Sequence, residues 1–243
     1  MEIIKKVNNN MNPKVESLTR GDKVYNNPAN GLKGTLFAVD YFDKDPLEFR
    51  RHNSKINNRY DIKPYYRRGS NDSLPCCPIL YLGLSRLLPF GEFHKDDEIK
   101  EIRKTLPSEY QKEIECIYER FTGLSISTTE QQKMGDIKIR ADFNTNKKGI
   151  DSNTISAGED NLFIIITAIV SLKYYHDSIQ SHNTVESVLL IDELDATLHP
   201  SLQFKIIDLF NEYSNQYKIQ IVFTTHSLSL IEYTLEKNIM LYI

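Results

Sequence analysis

A chain of 243 residues with 40% hydrophobic and 26% charged residues has the apolar content to bury a core, which excludes disorder along its whole length. Its 30 Lys and Arg against 33 Asp and Glu leave a formal net charge of −3. That balance excludes a global attraction to nucleic acid or to an anionic membrane, so any such contact needs a local patch.

The N-terminus, with Glu2, Lys5 and Lys6 followed by Asn8, Asn9 and Asn10, has no signal-peptide h-region. Composition shifts near residues 75 and 150 divide the chain into three stretches. The first, 1–75, is rich in Asn and Gly and reads as an antiparallel β subdomain, with a strand over 34–42 and a candidate partner over 60–65. Within it, Arg50-Arg51-His52 and Tyr65-Tyr66-Arg67-Arg68 interleave basic and aromatic residues. Such clusters suit phosphate contact, and they equally suit a sheet edge guarded by charge.

The second stretch, 76–149, reads as a strand plus a helical insertion. Cys76 and Cys77 are adjacent and Cys116 is distant, with no metal-ligand spacing, which points to a reducing compartment and no zinc. Residues 79–84 form a buried strand closed by the Pro89-Phe90-Gly91 turn. Residues 96–121 read as a charged surface helix with an apolar stripe through Ile99, Ile102, Leu106, Ile114, Ile117 and Phe121, interrupted at Pro107. Residues 136–143 alternate as a returning strand.

From residue 150 onward the pattern is α/β. A helix over 159–176 precedes a strand over 187–191, a helix opening at Pro200, a strand over 219–223, a helix from Ser227 and a strand over 239–243. The apolar run 162–170 is too short to cross a bilayer, so a cytoplasmic protein with no membrane partner is expected. Strands alternating with helices imply a mostly parallel sheet with helices on both faces, whose ligands bind at the carboxyl ends of the strands.

The chemistry concentrates at those ends. Val188-Leu189-Leu190-Ile191 delivers Asp192 and Glu193 where a phosphate or metal would sit. Neighbouring strand residues point in opposite directions, so one acid can hold Mg²⁺ and the other orient or deprotonate a water. Asp195-Ala196-Thr197-Leu198-His199-Pro200 follows at once, and a second apolar strand ends in Thr224-Thr225-His226-Ser227. If the two strands are neighbours, His226 falls beside the acids and can polarise the water. Upstream, Ser156-Ala157-Gly158-Glu159 opens the apolar helix. It is a capping box, and the same helix start presents free N–H groups to an anion.

Taken in order from residue 155 to residue 227, these motifs resemble the second half of an ATP-binding-cassette ATPase of the RecF/SMC-like branch, similar to the OLD and Septu-type ATPases of bacterial defence. The resemblance implies a P-loop NTPase-like fold and an ATPase that uses ATP and Mg²⁺ as a head-to-tail dimer. Ser156 and Gly158 would match the signature motif that contacts a nucleotide held by the opposite protomer. Asp192 and Glu193 would be the Walker B pair, with Glu193 as catalytic base and Asp192 at the metal. Asp195 would lie in the D-loop and His226 would be the switch histidine. The segment Tyr81-Leu82-Gly83-Leu84-Ser85-Arg86 also resembles one in these ATPases, which would put Arg86 near the site; an arginine paired on the surface is the plainer alternative.

A cassette ATPase also needs a P-loop, G-x-x-x-x-G-K-[ST], and none of the 10 glycines is followed by Lys. We therefore expect an incomplete N-terminal lobe in a piece of a longer ATPase, completed by a P-loop-bearing partner and driving a DNA-directed or phage-defence effector such as a nuclease. The alternative is a catalytically inactive DNA-binding or interaction module. A two-metal nuclease is disfavoured because no third acid is positioned by spacing.

Overall fold

The computed structural model describes residues 1–8, 10–13, 34–41, 44–53, 60–69, 77–88, 99–102, 106–135, 138–179 and 186–237. The chain divides into two units, Pro13–Cys76 and a larger one made of Met1–Asn12 with Cys77–Ile243. Helix α1, Glu2–Val7, belongs to the larger unit; it buries Ile4 and Val7, and the Asn8 amide after it donates to Ser171 Oγ at 3.0 Å.

The smaller unit is an antiparallel sheet of β1 (Thr35–Tyr41), β2 (Lys44–Asn53) and β3 (Tyr60–Tyr65), in that order. The 60–65 strand therefore exists but pairs with β2 and not with β1. β2 escaped the sequence reading because its charges and Pro46 hide the alternation. Residues opposed across the ladder share a face. Phe37, Phe49, Val39 and Leu47 thus line one face, and the Phe37 and Phe49 rings stack with centroids 4.9 Å apart. On the other face Arg50 lies 3.4 Å over the Tyr65 ring and bonds Glu48 at 2.9 Å.

In the larger unit β4 (Ile79–Leu82) runs into a 3₁₀ turn, Leu84–Leu87. The stretch read as one helix over 96–121 is instead a strand and a helix: β5 (Ile99–Ile102), then α2 (Ser108–Thr122). Pro107 is the cause. It holds the residue before it in extended backbone and fits only at a helix start, so the apolar residues upstream pair as a strand. Helix α2 stops at Gly123, whose φ of 72° is the left-handed conformation that glycine adopts without cost. β6 (Ile126–Met134) and β7 (Lys138–Thr145) complete an antiparallel sheet in the order β5-β6-β7.

Helix α3 (Ala157–Ser178) forms the middle of the core, with Ile165, Ile166, Ile169 and Leu172 fully buried. A helix apolar on all sides must be enclosed, and this one packs on α2, β7 and the next elements of the chain. β8 (Ser187–Ile191), α4 (Pro200–Tyr217), β9 (Ile219–Phe223) and α5 (Leu228–Glu236) follow. Pro200 occupies the first turn of α4, and Ser227 caps α5 by accepting from the Leu230 amide. β4, β8 and β9 form a parallel sheet in that order. Met11 bridges the outer edge of β4 at Leu80, whereas β9 has no second strand partner among the described residues.

The fold is thus α/β, with a parallel sheet and separate antiparallel sheets. The strand expected over 239–243 and the turn at 89–91 lie outside the described residues. Among the described residues no helix is long and apolar enough to cross a membrane.

Candidate functional site

Ile191 at the end of β8 sits in register with Phe223 at the end of β9, so the residues that follow each strand emerge side by side. The ladder runs one step further, with the Thr224 N–H donating to Ile191 O at 3.0 Å and the Leu194 N–H to Thr224 O at 2.9 Å. The Asp192 N–H donates to Leu82 O at 3.0 Å, which ties the same corner to β4.

Thr224 joins the two strand ends. Its hydroxyl donates to Asp192 Oδ1 at 2.8 Å and accepts the Glu193 N–H at 2.8 Å. It was not among the residues singled out from the sequence. A threonine after an apolar strand acquires meaning only once the strand opposite is known to end in acids.

Glu193 has φ of 50°, a left-handed backbone unusual for any residue but glycine. Its carboxylate Oε1 stands 3.9 Å from His226 Nε2. The His226 side chain is 84% exposed and that of Glu193 40%, so the pair faces solvent at the rim. Asp195 Oδ1 accepts from the Thr225 hydroxyl at 2.6 Å and from the His226 N–H at 3.1 Å, fastening the turn after β9.

Burial by itself would raise the Asp195 carboxyl, but the Thr225 hydroxyl and the backbone donors outweigh it and hold the group below its ordinary value. A carboxyl held low in the folded chain stabilises that chain above the usual carboxylate range and ceases to do so as pH falls through its folded value. Thr225→Val removes the side-chain donor. The variant should therefore be less stable than wild type at pH 7, with the gap narrowing by pH 3; urea unfolding at the two pH values reads this, and a gap that widens on acidification contradicts it.

Ser156 and Gly158 open α3. Ser156 Oγ accepts from the Glu159 N–H at 3.2 Å, and the Glu159 carboxylate accepts from the Ser156 N–H at 2.9 Å, which completes the capping box. Gly158 is buried against the 192–199 loop. A Cβ at this position would collide with Thr197 O, so the backbones meet too closely for any side chain.

Arg86 is not a surface residue; it is 4% exposed. Its guanidinium donates to Leu82 O, Gly83 O, Asn161 Oδ1 and Glu193 O at 2.8 to 3.1 Å. Burial lowers its pKa, and the Asp192 carboxylate, the Tyr81 ring and the Glu193 carboxylate oppose that shift.

The structure therefore gathers Asp192, Glu193, Asp195 and His226 at one edge, with Gly158 seated on the loop between them and Ser156 at the start of the same helix. The Arg50 and Arg67 clusters belong to the smaller unit. Among the described residues no group of three or more His, Cys, Asp or Glu side chains is placed to hold a metal ion. The carboxylate of Asp192 and the hydroxyl of Thr224 are hard oxygen donors of the kind Mg²⁺ takes, and Mg²⁺ needs only one or two carboxylates when substrate phosphates and water supply the rest. A glycine-rich loop with its lysine, to hold those phosphates, has no counterpart in the 243 residues.

A family model described as AAA ATPase domain matches residues 93–231, more than half of the chain; the span contains Ser156, Gly158, Asp192, Glu193, Asp195, Thr224 and His226, and Arg86 lies before it. No curated protein matches the chain.

Proposed function

The chain belongs to the AAA ATPase domain family, and from that premise we propose that residues 192–195 and 224–226 are the water-activating side of an ATP-hydrolysing site. The observation carrying this reading is the register of β8 and β9, which brings Asp192, Glu193 and His226 to one strand-end edge.

In this reading Glu193 accepts the proton of the attacking water, and His226 beside it orients that water and the terminal phosphate. Asp192, held by the Thr224 hydroxyl, is the residue that would hold Mg²⁺. The ion, when bound, supplies neutralisation of the phosphate oxygens. Asp195 sets the turn that carries His226. The N–H groups at the start of α3, with Ser156 and Gly158, face the terminal phosphate of a nucleotide held by a second protomer, which makes a head-to-tail dimer the working form. The order of motifs favours the RecF/SMC and OLD-like branch, with a DNA-directed or phage-defence effector as its output.

The phosphate-holding loop then comes from residues outside this sequence, in the same chain or in another. One feature favours that arrangement: Val222, on the sheet face it shares with Leu190 and Tyr81, is 45% exposed, an apolar surface that a further element can cover. The test is to supply a segment carrying strand, P-loop and following helix, fused to the chain or mixed with it, and to measure phosphate released from ATP. Mg²⁺-dependent release is expected with both parts present and not with either alone. An assembly that binds ATP and releases no phosphate overturns the reading.

A further inference from the structure

The 192–199 loop contains two non-glycine residues in left-handed backbone, Glu193 with φ of 50° and Thr197 with φ of 65°. Such conformations persist only where the surroundings over-determine them. At Glu193 the amide is held by Thr224 and the carbonyl by Arg86 Nη2 at 2.8 Å. Near Thr197, Asn161 Nδ2 donates to Ala196 O at 3.2 Å and to Thr197 Oγ1 at 3.4 Å. Arg86 Nε donates to Asn161 Oδ1 at 2.9 Å, so the two fixings are one continuous chain of hydrogen bonds. Arg86 is 4% exposed and Asn161 fully buried, away from the solvent-facing carboxylate of Glu193.

We propose that Arg86 and Asn161 form a strut that sets the backbone of Glu193 and ties it to the second turn of α3, which makes both of them positioning residues; the functional meaning rests on the hydrolysis reading above. The guanidinium is suited to this because its donors lie in a rigid plane, and three backbone carbonyls and one side-chain oxygen occupy it at once. Asn161 uses both ends of its amide, so its orientation is determined. Gly158, one turn earlier, lets α3 approach the loop closely enough for the amide to reach. The start of α3 and the Glu193 loop therefore move as one body.

Site-resolved amide exchange on the 243-residue chain tests the strut directly, with Asn161→Ala as the main variant and Arg86→Lys, which keeps the charge and loses the fork, as the second. The Glu193 and Leu194 amides should exchange at least tenfold faster in both, while amides inside β8 and β9 stay within twofold of wild type. Unchanged loop amides overturn the proposal, and so does a uniform rise throughout the chain, because that is loss of fold and not of position. With the P-loop segment supplied, Asn161→Ala should lower kcat at least tenfold and leave KM for ATP within twofold. Normal kcat in an assembly that turns over ATP also overturns it. An assembly that never turns over ATP while the loop amides respond refutes the hydrolysis reading and leaves the strut standing.

Discussion

Glu193→Gln should reduce phosphate release by the complemented assembly by about 10²–10⁴-fold, the usual contribution of a positioned general base. Glutamine keeps the size and shape of the side chain but cannot accept the proton of water. The backbone at this position is fixed by Arg86 and Thr224 through its carbonyl and amide, so the exchange of side chain leaves the loop in place. The carboxylate faces solvent, and the fold should accordingly change by no more than about 0.5 kcal/mol. Nucleotide binding should persist, because in the proposed site other residues hold the phosphates, and ATP should accumulate uncleaved. Phosphate release and ATP retention measured together check this. Release within threefold of wild type would remove Glu193 from the chemistry.

The largest expected loss of stability lies at Lys138. Its side chain is 2% exposed, and its ammonium forms a close ion pair with Asp160 and donates to Leu88 O at 3.0 Å. Removing one partner leaves a carboxylate in a site that was desolvated for a pair, which costs about 3–5 kcal/mol. Lys138→Ala should lose that much in urea unfolding at pH 7, a large share of the 5–15 kcal/mol that roughly spans domain stabilities. The double change Lys138→Met with Asp160→Leu should regain most of it, since apolar residues of similar volume fill such sites as well as an ion pair does. The recovery should fall short by about 0.3–1 kcal/mol, because Asp160 lies in the first turn of α3, where a negative charge is favourable. A single variant within 1 kcal/mol of wild type would show the pair to be dispensable.

The parallel core was legible because its strands are short continuous apolar runs with charged or polar residues at their ends: the 187–191 and 219–223 boundaries match the structure residue for residue. Caps did the same for the helices, through Ser156, Pro200 and Ser227. The antiparallel elements were harder. β6 reads Ile-Ser-Thr-Thr-Glu-Gln-Gln-Lys-Met, with too few apolar residues to mark a face, and β5 has Ile99 and Ile102 at a spacing that a helix shares. Their strand state is decided by pairing with each other, a long-range contact that local pattern does not carry. In the site, the acids and the histidine stood out by chemistry. Thr224 and Asn161 did not, since each acts through a partner more than thirty residues away in sequence.

β4 lies beside β8, with Ile79 opposite Val188, although more than a hundred residues separate them. At a synthesis rate of about 5–20 residues per second, β4 leaves the ribosome on the order of 5–20 s before its partner exists. During that interval one edge is shielded by Met11 and the other is an unpaired apolar template for any neighbouring nascent chain. The corner that Asp192 shares with Leu82 is consequently among the last parts of the molecule to assemble, and slow elongation or crowded polysomes should depress the yield of protein with that corner intact before they affect the α2–α3 core.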